Sequence, residues 1–260
     1  TPEVMAQVDG AMTFRGDTVA QYVQAVHQST LTDPASGLST PANTRYTAGI
    51  EERYMYNPTF ESKYSMVPSV PALLLLLIPS ILIAVSIVRE KELVSMINFY
   101  FTPTKRLEYL LGKQLPYIAI GMINFFILTA LALVVFQVPI KGSFLTLTAC
   151  TLLYVTVTTA LGMVMSTFTS TQVAAVFVTS IVTIVPTIQF SGLLQPVSTL
   201  EGNAARVGAV WPATYYMHAS LGAYTKGLAP ALMLEDLVFL AASIPILFAF
   251  SVLGLRKQGK

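Results

Sequence analysis

Five long apolar runs constrain this chain more than any other feature. They are Val70–Val88, Leu115–Phe136, Phe144–Met165, Val173–Leu194 and Leu237–Leu255, and none of them contains Asp, Glu, Lys or Arg. Each is close to the ~20 residues that a helix needs to cross the ~30 Å hydrocarbon core of a bilayer. Backbone groups in lipid have to be satisfied within their own segment, so the runs must be helices. The sequence therefore predicts an all-α polytopic membrane protein with five visible transmembrane helices.

The basic residues predict which connections face the cytoplasm. Residues 89–113, 166–172 and 256–260 hold eight of the 15 Lys and Arg residues in 37 positions, whereas the opposite connections hold seven in 118. Cytoplasmic connections carry the excess of Lys and Arg. We therefore expect the C-terminus to be cytoplasmic and the start of the chain to be external. Because no signal peptide precedes this exported start, one further membrane helix is expected upstream of Thr1.

Residues 1–68 are expected to form the C-terminal part of a small α+β external, periplasmic domain. Alternation over Val4–Val8 predicts a strand, and a second strand is expected over residues 50–56, before Asn57-Pro58. Asp17–Ser29 predicts a helix between them, because its apolar residues fall at i, i+3, i+4 and i+7. Those residues are Val19, Tyr22, Val23 and Val26.

The transmembrane domain is expected to occupy residues 69–260. Within it, residues 196–230 predict two short re-entrant or interfacial helices on the external side. Ser198 and Glu201 have the spacing of a capping box at a helix start. Trp211, Tyr215 and Tyr216 are typical of headgroup depth.

The sequence offers no constellation for catalysis, cofactor binding or metal binding. Its two histidines, His27 and His218, are far apart, Cys150 is the only cysteine, and no G-x-x-x-x-G-K-[ST] phosphate loop occurs. We therefore expect a chain that is not an enzyme and has no ATPase site of its own. The net charge of +2 gives no indication of nucleic acid contact.

Polar residues within the runs are candidates for a substrate path. Asn124 and Gln189 are the strongest polar groups at depth, and Thr183 belongs to a run that is rich in hydroxyl groups. The alternative, which we favour, is helix packing, because small and hydroxyl residues let membrane helices approach closely. Acidic residues are absent from the five runs, which argues against a proton relay of carboxylates.

The densest charge of the chain follows the first run. Arg89, Glu90, Lys91 and Glu92 precede an apolar stripe at i, i+3, i+4 and i+7, formed by Leu93, Met96, Ile97 and Tyr100. This pattern predicts an amphipathic helix over residues 89–101 that lies on the cytoplasmic face and presents its charges to a soluble partner. The alternative is a solvated helix start that only fixes topology.

These residues resemble the stretch after the second transmembrane helix of ABC-2 type transporter permeases. The family's R-E-x-E-x-G and T-P-x-x-R-x-E-x-x-x-G-K segments match Arg89, Glu90, Glu92, Thr102, Pro103, Arg106, Glu108, Gly112 and Lys113, with Val94 where the family usually has Gly. Ser191-Gly192 through Pro196 is similar to its S-G-x-x-x-P segment. Trp211–Tyr216 resembles its N-P-x-T-Y segment, with Trp in place of Asn.

The resemblance implies an ABC-2, type V exporter-like fold with six spans, which agrees with one upstream helix. It also implies that residues 89–101 are a coupling helix that docks into a groove on an ATPase subunit. The ATPase-coupling residues are then Arg89, Glu90, Lys91, Glu92, Thr102, Pro103, Arg106 and Glu108. ATP and Mg would be bound by the partner ATPase, with no cofactor in this chain.

The function expected from this resemblance is that of the membrane-spanning permease of a drug-export-type ABC exporter in the bacterial inner membrane. An amphipathic or hydrophobic substrate would pass between Val70–Val88, Val173–Leu194 and their dimer mates. Expected partners are ABC ATPase domains, separate or fused upstream, a second permease copy or paralogue, membrane lipids, and a periplasmic adaptor as a further candidate. The alternative function is the membrane anchor of a fused ribosome-associated ATPase, with no transport role.

Overall fold

A computed structural model of the chain describes residues 4–9, 13–32, 50–55, 61–93, 106–193, 197 and 200–254. The described residues fall into two compact units, one within Thr1–Ser65 and one within Met66–Lys260. The elements in chain order are β1 (Val4–Asp9), α1 (Thr13–Thr32), β2 (Ile50–Met55), α2 (Lys63–Glu92), α3 (Arg106–Val134), α4 (Phe144–Phe168), α5 (Gln172–Phe190), α6 (Gly202–Val210), α7 (Pro212–Leu221) and α8 (Leu234–Gly254). A π-helical turn, Gly222–Lys226, follows α7, and a 3-10 turn, Pro230–Met233, precedes α8.

The first unit has the strand–helix–strand order that the sequence predicts. β1 and β2 pair in parallel, in a register that runs from Val4 opposite Ile50 to Asp9 opposite Met55. Parallel neighbours need a crossover connection, which here contains α1. Val19, Tyr22 and Val26 on α1 are exposed, however. The apolar spacing that predicts this helix correctly therefore does not mark a buried face.

Five helices in the described part of the chain are long and apolar enough to cross a membrane. They are α2, α3, α4, α5 and the segment Pro230–Gly254, which contains α8. The predicted all-α polytopic membrane fold with five visible transmembrane helices and a small α+β unit is confirmed. α2 has 30 residues and α3 has 29. At 1.5 Å per residue each is ~45 Å long, which exceeds the ~30 Å hydrocarbon core.

α4 lies at the centre of the second unit and packs against α3, α5, α7 and α8. α2 meets α4 backbone to backbone at Gly162, where an added Cβ would lie 2.3 Å from Ser80 O. The Ser80 hydroxyl lies 2.8 Å from Thr158 O of α4 and 2.5 Å from Leu76 O of its own helix. A side chain at position 162 would therefore force the two helices apart.

An apolar core joins four helices in the half of this unit nearest Glu92. Its buried members are Ile83, Ile87, Leu110, Ala160 and Met163. Partly buried side chains of α8, including Phe248 and Val252, pack against them. This core fixes the end of α2 and the start of α3, which carry the charged residues, against α4.

The structure corrects the expected start of the helix over residues 89–101. α2 continues without a break through Arg89–Glu92, which form its last turn. No Gly or Pro interrupts the chain between Val88 and Glu92, so leaving the apolar run does not end the helix. Basic residues in a last turn also suit the negative end of the helix dipole. The rest of the expected stripe, Met96, Ile97 and Tyr100, lies outside the described residues.

Two short helices, α6 and α7, do lie within residues 196–230, but α6 begins later than expected. It starts at Gly202, with Glu201 as its N-cap residue, and not after Ser198, which lies outside the described residues. Gly202 has φ of +60°. A helix cannot continue backwards through this left-handed conformation, which explains why α6 begins here. The external position of both helices stays a prediction.

Candidate functional site

Three consecutive charged residues end α2, and each contacts a different helix. Successive residues of an α-helix are turned by about 100°, so Glu90, Lys91 and Glu92 point in three directions. We call these residues and their partners the charged cluster; the partners are Tyr109, Lys113, Ser166 and Gln172. Arg89 is exposed and takes no part in these contacts.

Glu90 binds α3 with both carboxylate oxygens. Its Oε1 forms an ion pair with Lys113 Nζ, and its Oε2 accepts a hydrogen bond from the Tyr109 hydroxyl. Tyr109 and Lys113 are four residues apart, which places them on one face of α3. Lys113 Nζ also donates to Ser86 O of α2 at 3.0 Å. Tyr109 and Lys113 therefore both bind α2 and connect its end to the start of α3.

Lys91 binds the end of α4. Its Nζ donates to the backbone carbonyl of Ser166, two residues before the last residue of that helix. The last four carbonyls of a helix have no partner within it, and the dipole makes this end negative. An ammonium group at this carbonyl satisfies an unpaired acceptor and complements its charge.

Glu92 caps the start of α5. Its Oε1 accepts a hydrogen bond from Gln172 N at 2.8 Å, and its Oε2 accepts one from the Gln172 side-chain amide. Gln172 is the first residue of α5, where backbone N–H groups are unpaired and the dipole is positive. Thr171 supplies a second cap, because its hydroxyl accepts from Ala174 N at 3.2 Å. The connection between α4 and α5 is thus bound to the last turn of α2.

The remaining predicted coupling residues lie around this cluster or outside the described part of the chain. Thr102 and Pro103 belong to residues 94–105, which lie outside it. Arg106 is the first residue of α3, and Glu108 is exposed in its first turn. Their contact with an ATPase stays a prediction.

The three predicted substrate-path residues share no hydrogen bond in the described structure. Asn124 is half-buried on α3, and its Nδ2 has no partner among the described residues. Thr183 is buried on α5 and donates within its own helix, to Thr179 O at 2.7 Å. Gln189 is exposed near the end of α5. Their role in a substrate path stays a prediction.

A second group of polar contacts holds α7 inside the bundle, and the sequence did not indicate it. We call it the hydroxyl cluster; its members are Thr151, Tyr154, Tyr216 and Ser220, all at most 1% exposed. The rings of Tyr154 and Tyr216 stack with centroids 4.2 Å apart. Tyr154 donates to Ala72 O at 2.6 Å, and Ser220 donates to Pro68 O at 2.6 Å. These bonds join α4 and α7 to the beginning of α2.

Beside this cluster, His218 of α7 contacts Asp236 in the first turn of α8. The distance from Nδ1 to Oδ2 is 2.8 Å, and Asp236 is 4% exposed whereas the His218 side chain is half exposed. The carboxylate of Asp236 accepts a hydrogen bond from the protonated ring, and this bond raises the pKa of His218 above its usual value. Within the described residues, no group of three or more His, Cys, Asp or Glu side chains could hold a metal ion.

Sequence reasoning included Glu90, Lys91 and Glu92 but not their partners. Tyr109 and Lys113 carried a usable signal, since a polar pair at i and i+4 shares a helix face. Gln172 is the first residue of an apolar helix, where a carboxylate partner for its N–H is favourable. Ser166 carried none, because Lys91 binds its backbone and not its side chain.

Comparison with known proteins gives three findings. The sequence profile of a family described as ABC-2 family transporter protein matches residues 2–253. The probable multidrug ABC transporter permease YbhS of Escherichia coli is 25% identical over 209 residues, which cover 80% of this chain and 55% of YbhS. The probable multidrug ABC transporter permease YbhR of the same organism is 24% identical over 193 residues, 74% of this chain and 51% of YbhR. This chain thus spans about half the length of these curated relatives. No solved structure matches the chain.

Proposed function

This chain belongs to the ABC-2 transporter protein family, and we propose that it is the membrane-spanning permease part of an ATP-driven exporter. The motif resemblance in the sequence is thereby confirmed at the level of the family. In the proposed arrangement the protein lies in the bacterial inner membrane, with the charged cluster at the cytoplasmic face and residues 1–68 in the periplasm. Because residues 1–260 contain no G-x-x-x-x-G-K-[ST] phosphate loop, a partner or fused ATPase would bind ATP and Mg. The curated relatives are named as permeases, which favours transport over a membrane anchor for a ribosome-associated ATPase.

The observation that carries the proposal is that Glu90, Lys91 and Glu92 bind α3, α4 and α5 respectively. The segment that follows Leu93, residues 94–105, is the part of the chain expected to meet an ATPase. A displacement of that segment would act first on the last turn of α2. Because this turn is bound to three other helix ends, the displacement would reach four membrane helices together. The ATPase would then contact Arg89, Thr102, Pro103, Arg106 and Glu108. Glu90, Lys91 and Glu92 would transmit the motion to the other helices.

A dimer of permease units would complete the transporter. α5 supports this proposal, because its face bearing Val173, Phe177 and Ile181 is exposed and apolar whereas its Thr179, Thr183 and Thr187 are buried. A second copy or a paralogue could cover the exposed face, and an amphipathic or hydrophobic substrate would pass between α2, α5 and their dimer mates. Asn124, Thr183 and Gln189 stay candidates for residues of that path. A periplasmic adaptor is a further candidate partner.

Charge reversal at position 90 tests the coupling role in the full-length transporter with its ATPase. We expect Glu90→Lys to abolish the stimulation of ATP hydrolysis by an amphipathic fluorescent dye, because it turns the ion pair with Lys113 into a repulsion. The double variant Glu90→Lys, Lys113→Glu restores opposite charges and should recover at least part of the stimulation. Phosphate release measured with and without the dye gives the readout.

Glu201→Lys is the matched control, since it makes the same charge change at the exposed N-cap residue of α6, whose side chain makes no capping hydrogen bond. It should leave the stimulation intact, and all variants should insert into the membrane in equal amounts. Normal dye stimulation in Glu90→Lys, or equal loss in Glu201→Lys, would refute the coupling role.

A further inference from the structure

A groove of about 690 Å³ opens on the surface of the bundle between α3 and α8. Its walls include Leu111 and Leu115 of α3 and Phe248 and Val252 of α8, and Thr156 of α4 lies at its floor. None of the described residues that line it is charged. Its volume is within the ~300–1,000 Å³ range of small-molecule sites.

The groove lies in the half of the membrane-spanning region nearest the charged cluster. On α3 it extends from Leu107, next to the first residue of the helix, to Ile118. Eleven residues of helix correspond to about 16 Å, roughly one leaflet of the hydrocarbon core. Leu115 is 66% exposed and Leu253 is 76% exposed, so the groove is open at the side of the described bundle. A molecule already dissolved in that leaflet could enter it without crossing water.

One polar group among the groove's lining residues is not fully paired. Gln114 is 3% exposed, and its Nε2 donates to Thr156 O and to Thr159 Oγ1, each at 3.0 Å. Its Oε1 accepts no hydrogen bond from the described residues, although a carboxamide oxygen can accept two. This oxygen is not among the fully buried unpaired atoms of the described residues, so a bound molecule can reach it and complete the hydrogen bonding of the amide. The Gln114 amide is held in place by α4, so its oxygen is a fixed acceptor.

We propose that this groove binds an uncharged single-chain amphiphile from the adjacent leaflet, with its hydroxyl or N–H group donating to Gln114 Oε1. The chain of the amphiphile packs along Leu115 and Phe248. The described residues around Gln114 are neutral and disfavour a charged head at that depth, since a charge without a partner in an apolar site is costly. A phospholipid chain fits the walls but brings no donor to this depth. The inference rests on the proposed function, because it names the class of cargo and the place where the cargo first binds.

Photolabelling in the absence of ATP tests the site. The full-length protein is reconstituted in phosphatidylethanolamine and phosphatidylglycerol vesicles with hexadecanol that carries a diazirine in its chain. We expect label on peptides that contain Leu115 and Phe248. The methyl ether of the same probe lacks the donor and should label about 2–10-fold less, the value of one neutral hydrogen bond.

Two alanines on α8 give a matched pair of variants. Ala249 lines the groove, whereas Ala242, one heptad earlier, is exposed and does not. Ala249→Phe fills the groove and should lower labelling at least ~5-fold, and Ala242→Phe should leave it unchanged. Equal labelling by alcohol and ether, equal labelling in Ala249→Phe, or displacement of the alcohol by a phospholipid with a photoreactive acyl chain would overturn the proposal.

The outcome is separable from the test of coupling. Glu90→Lys leaves the groove's lining residues in place, so it should keep the photolabel while it loses dye-stimulated ATP hydrolysis. If the coupling test fails but the photolabel is found as expected, the proposed function is refuted and the proposed binding site is kept. If the coupling test succeeds but the alcohol labels no better than the ether, only the proposed binding site is refuted.

Discussion

The two ends of α2 are held by opposite chemistry. Near Glu92 the contacts are charged and partly open to solvent, with 40% of the Glu90 side chain exposed. Near Pro68 the contacts are neutral hydroxyl groups, and Tyr154 and Ser220 are fully buried. Charged contacts at an exposed end are weak singly and respond to salt. Buried neutral hydrogen bonds with stacked rings resist such changes.

This difference indicates which end of α2 can move more easily. Removing the charged contacts leaves Glu90 and Glu92 to water, and Lys113, whose side chain is only 10% exposed, keeps its bond to Ser86 O, so alternative positions of that end cost less. Removing the hydroxyl contacts leaves a cavity and unpaired buried atoms, which costs more. Gly162 fixes α2 against α4 between the two clusters. α2 is therefore built with one firm end, one adjustable end and a close contact in between.

The largest expected effect is the loss of the firm end. Tyr154→Ala removes a ring stacked on Tyr216 and should lower the free energy of unfolding by about 3–5 kcal/mol. Tyr154→Phe keeps the ring, loses only the bond to Ala72 O and should cost about 1 kcal/mol. Cys150 is buried beside this cluster and is the chain's only cysteine. Its labelling by a thiol-reactive dye during heating reports the unfolding, once any cysteines outside residues 1–260 are replaced.

Both Tyr154 variants should respond equally at low and high salt, since no charge is involved. If Tyr154→Ala unfolded at the wild-type temperature, the hydroxyl cluster would not be the firm end of α2, and the comparison would fail.

The transmembrane helices could be predicted from the sequence because length and apolar content alone decide whether a helix can cross the bilayer. The end of α2 could not, because the change from Val88 to Arg89 marks where the chain leaves the apolar region and not where the helix stops. The contacts of Glu90, Lys91 and Glu92 depend on which helices surround α2. That arrangement follows from packing at sites such as Gly162 and not from a local pattern.

The hydroxyl cluster illustrates the same limit. Tyr216 could be predicted to lie near the membrane interface, since tyrosine is typical of that depth. Its burial against Tyr154 depends on α7 entering the bundle, and no spacing within residues 212–221 indicates this. Thr151 and Tyr154 are three residues apart on α4, which placed them on one face but left their partner open.

A smaller effect is expected at the adjustable end. In a double-mutant cycle of Glu90→Gln and Lys113→Met, the interaction energy should be on the order of 1 kcal/mol at low salt, because Glu90 is partly hydrated. It should shrink at ~1 M NaCl, where the Debye length falls to about 3 Å. The shift in unfolding temperature of the four proteins, measured at both salt concentrations, gives the cycle. An interaction energy that did not change with salt would mean that the two ends of α2 are held alike.

The smallest effect concerns the contact between His218 and Asp236, which lies near the firm end. Asp236 raises the pKa of His218, while Lys226 opposes the shift and Glu235 adds to it. A raised pKa means that folding favours the protonated form, so the pair stabilises most below pH ~6.5 and loses this contribution as pH rises through the folded-state pKa.

We expect His218→Asn to lower the free energy of unfolding at pH 6 by less than ~1 kcal/mol, because the His218 side chain is half exposed. The loss should be still smaller at pH 9, and the unfolding temperature at the two pH values gives the readout. In an Asp236→Asn background the substitution should have the same effect at both pH values. A larger effect of His218→Asn at pH 9 than at pH 6 would show that the pair does not stabilise the protonated ring, and that this end of the bundle is held by neutral contacts alone.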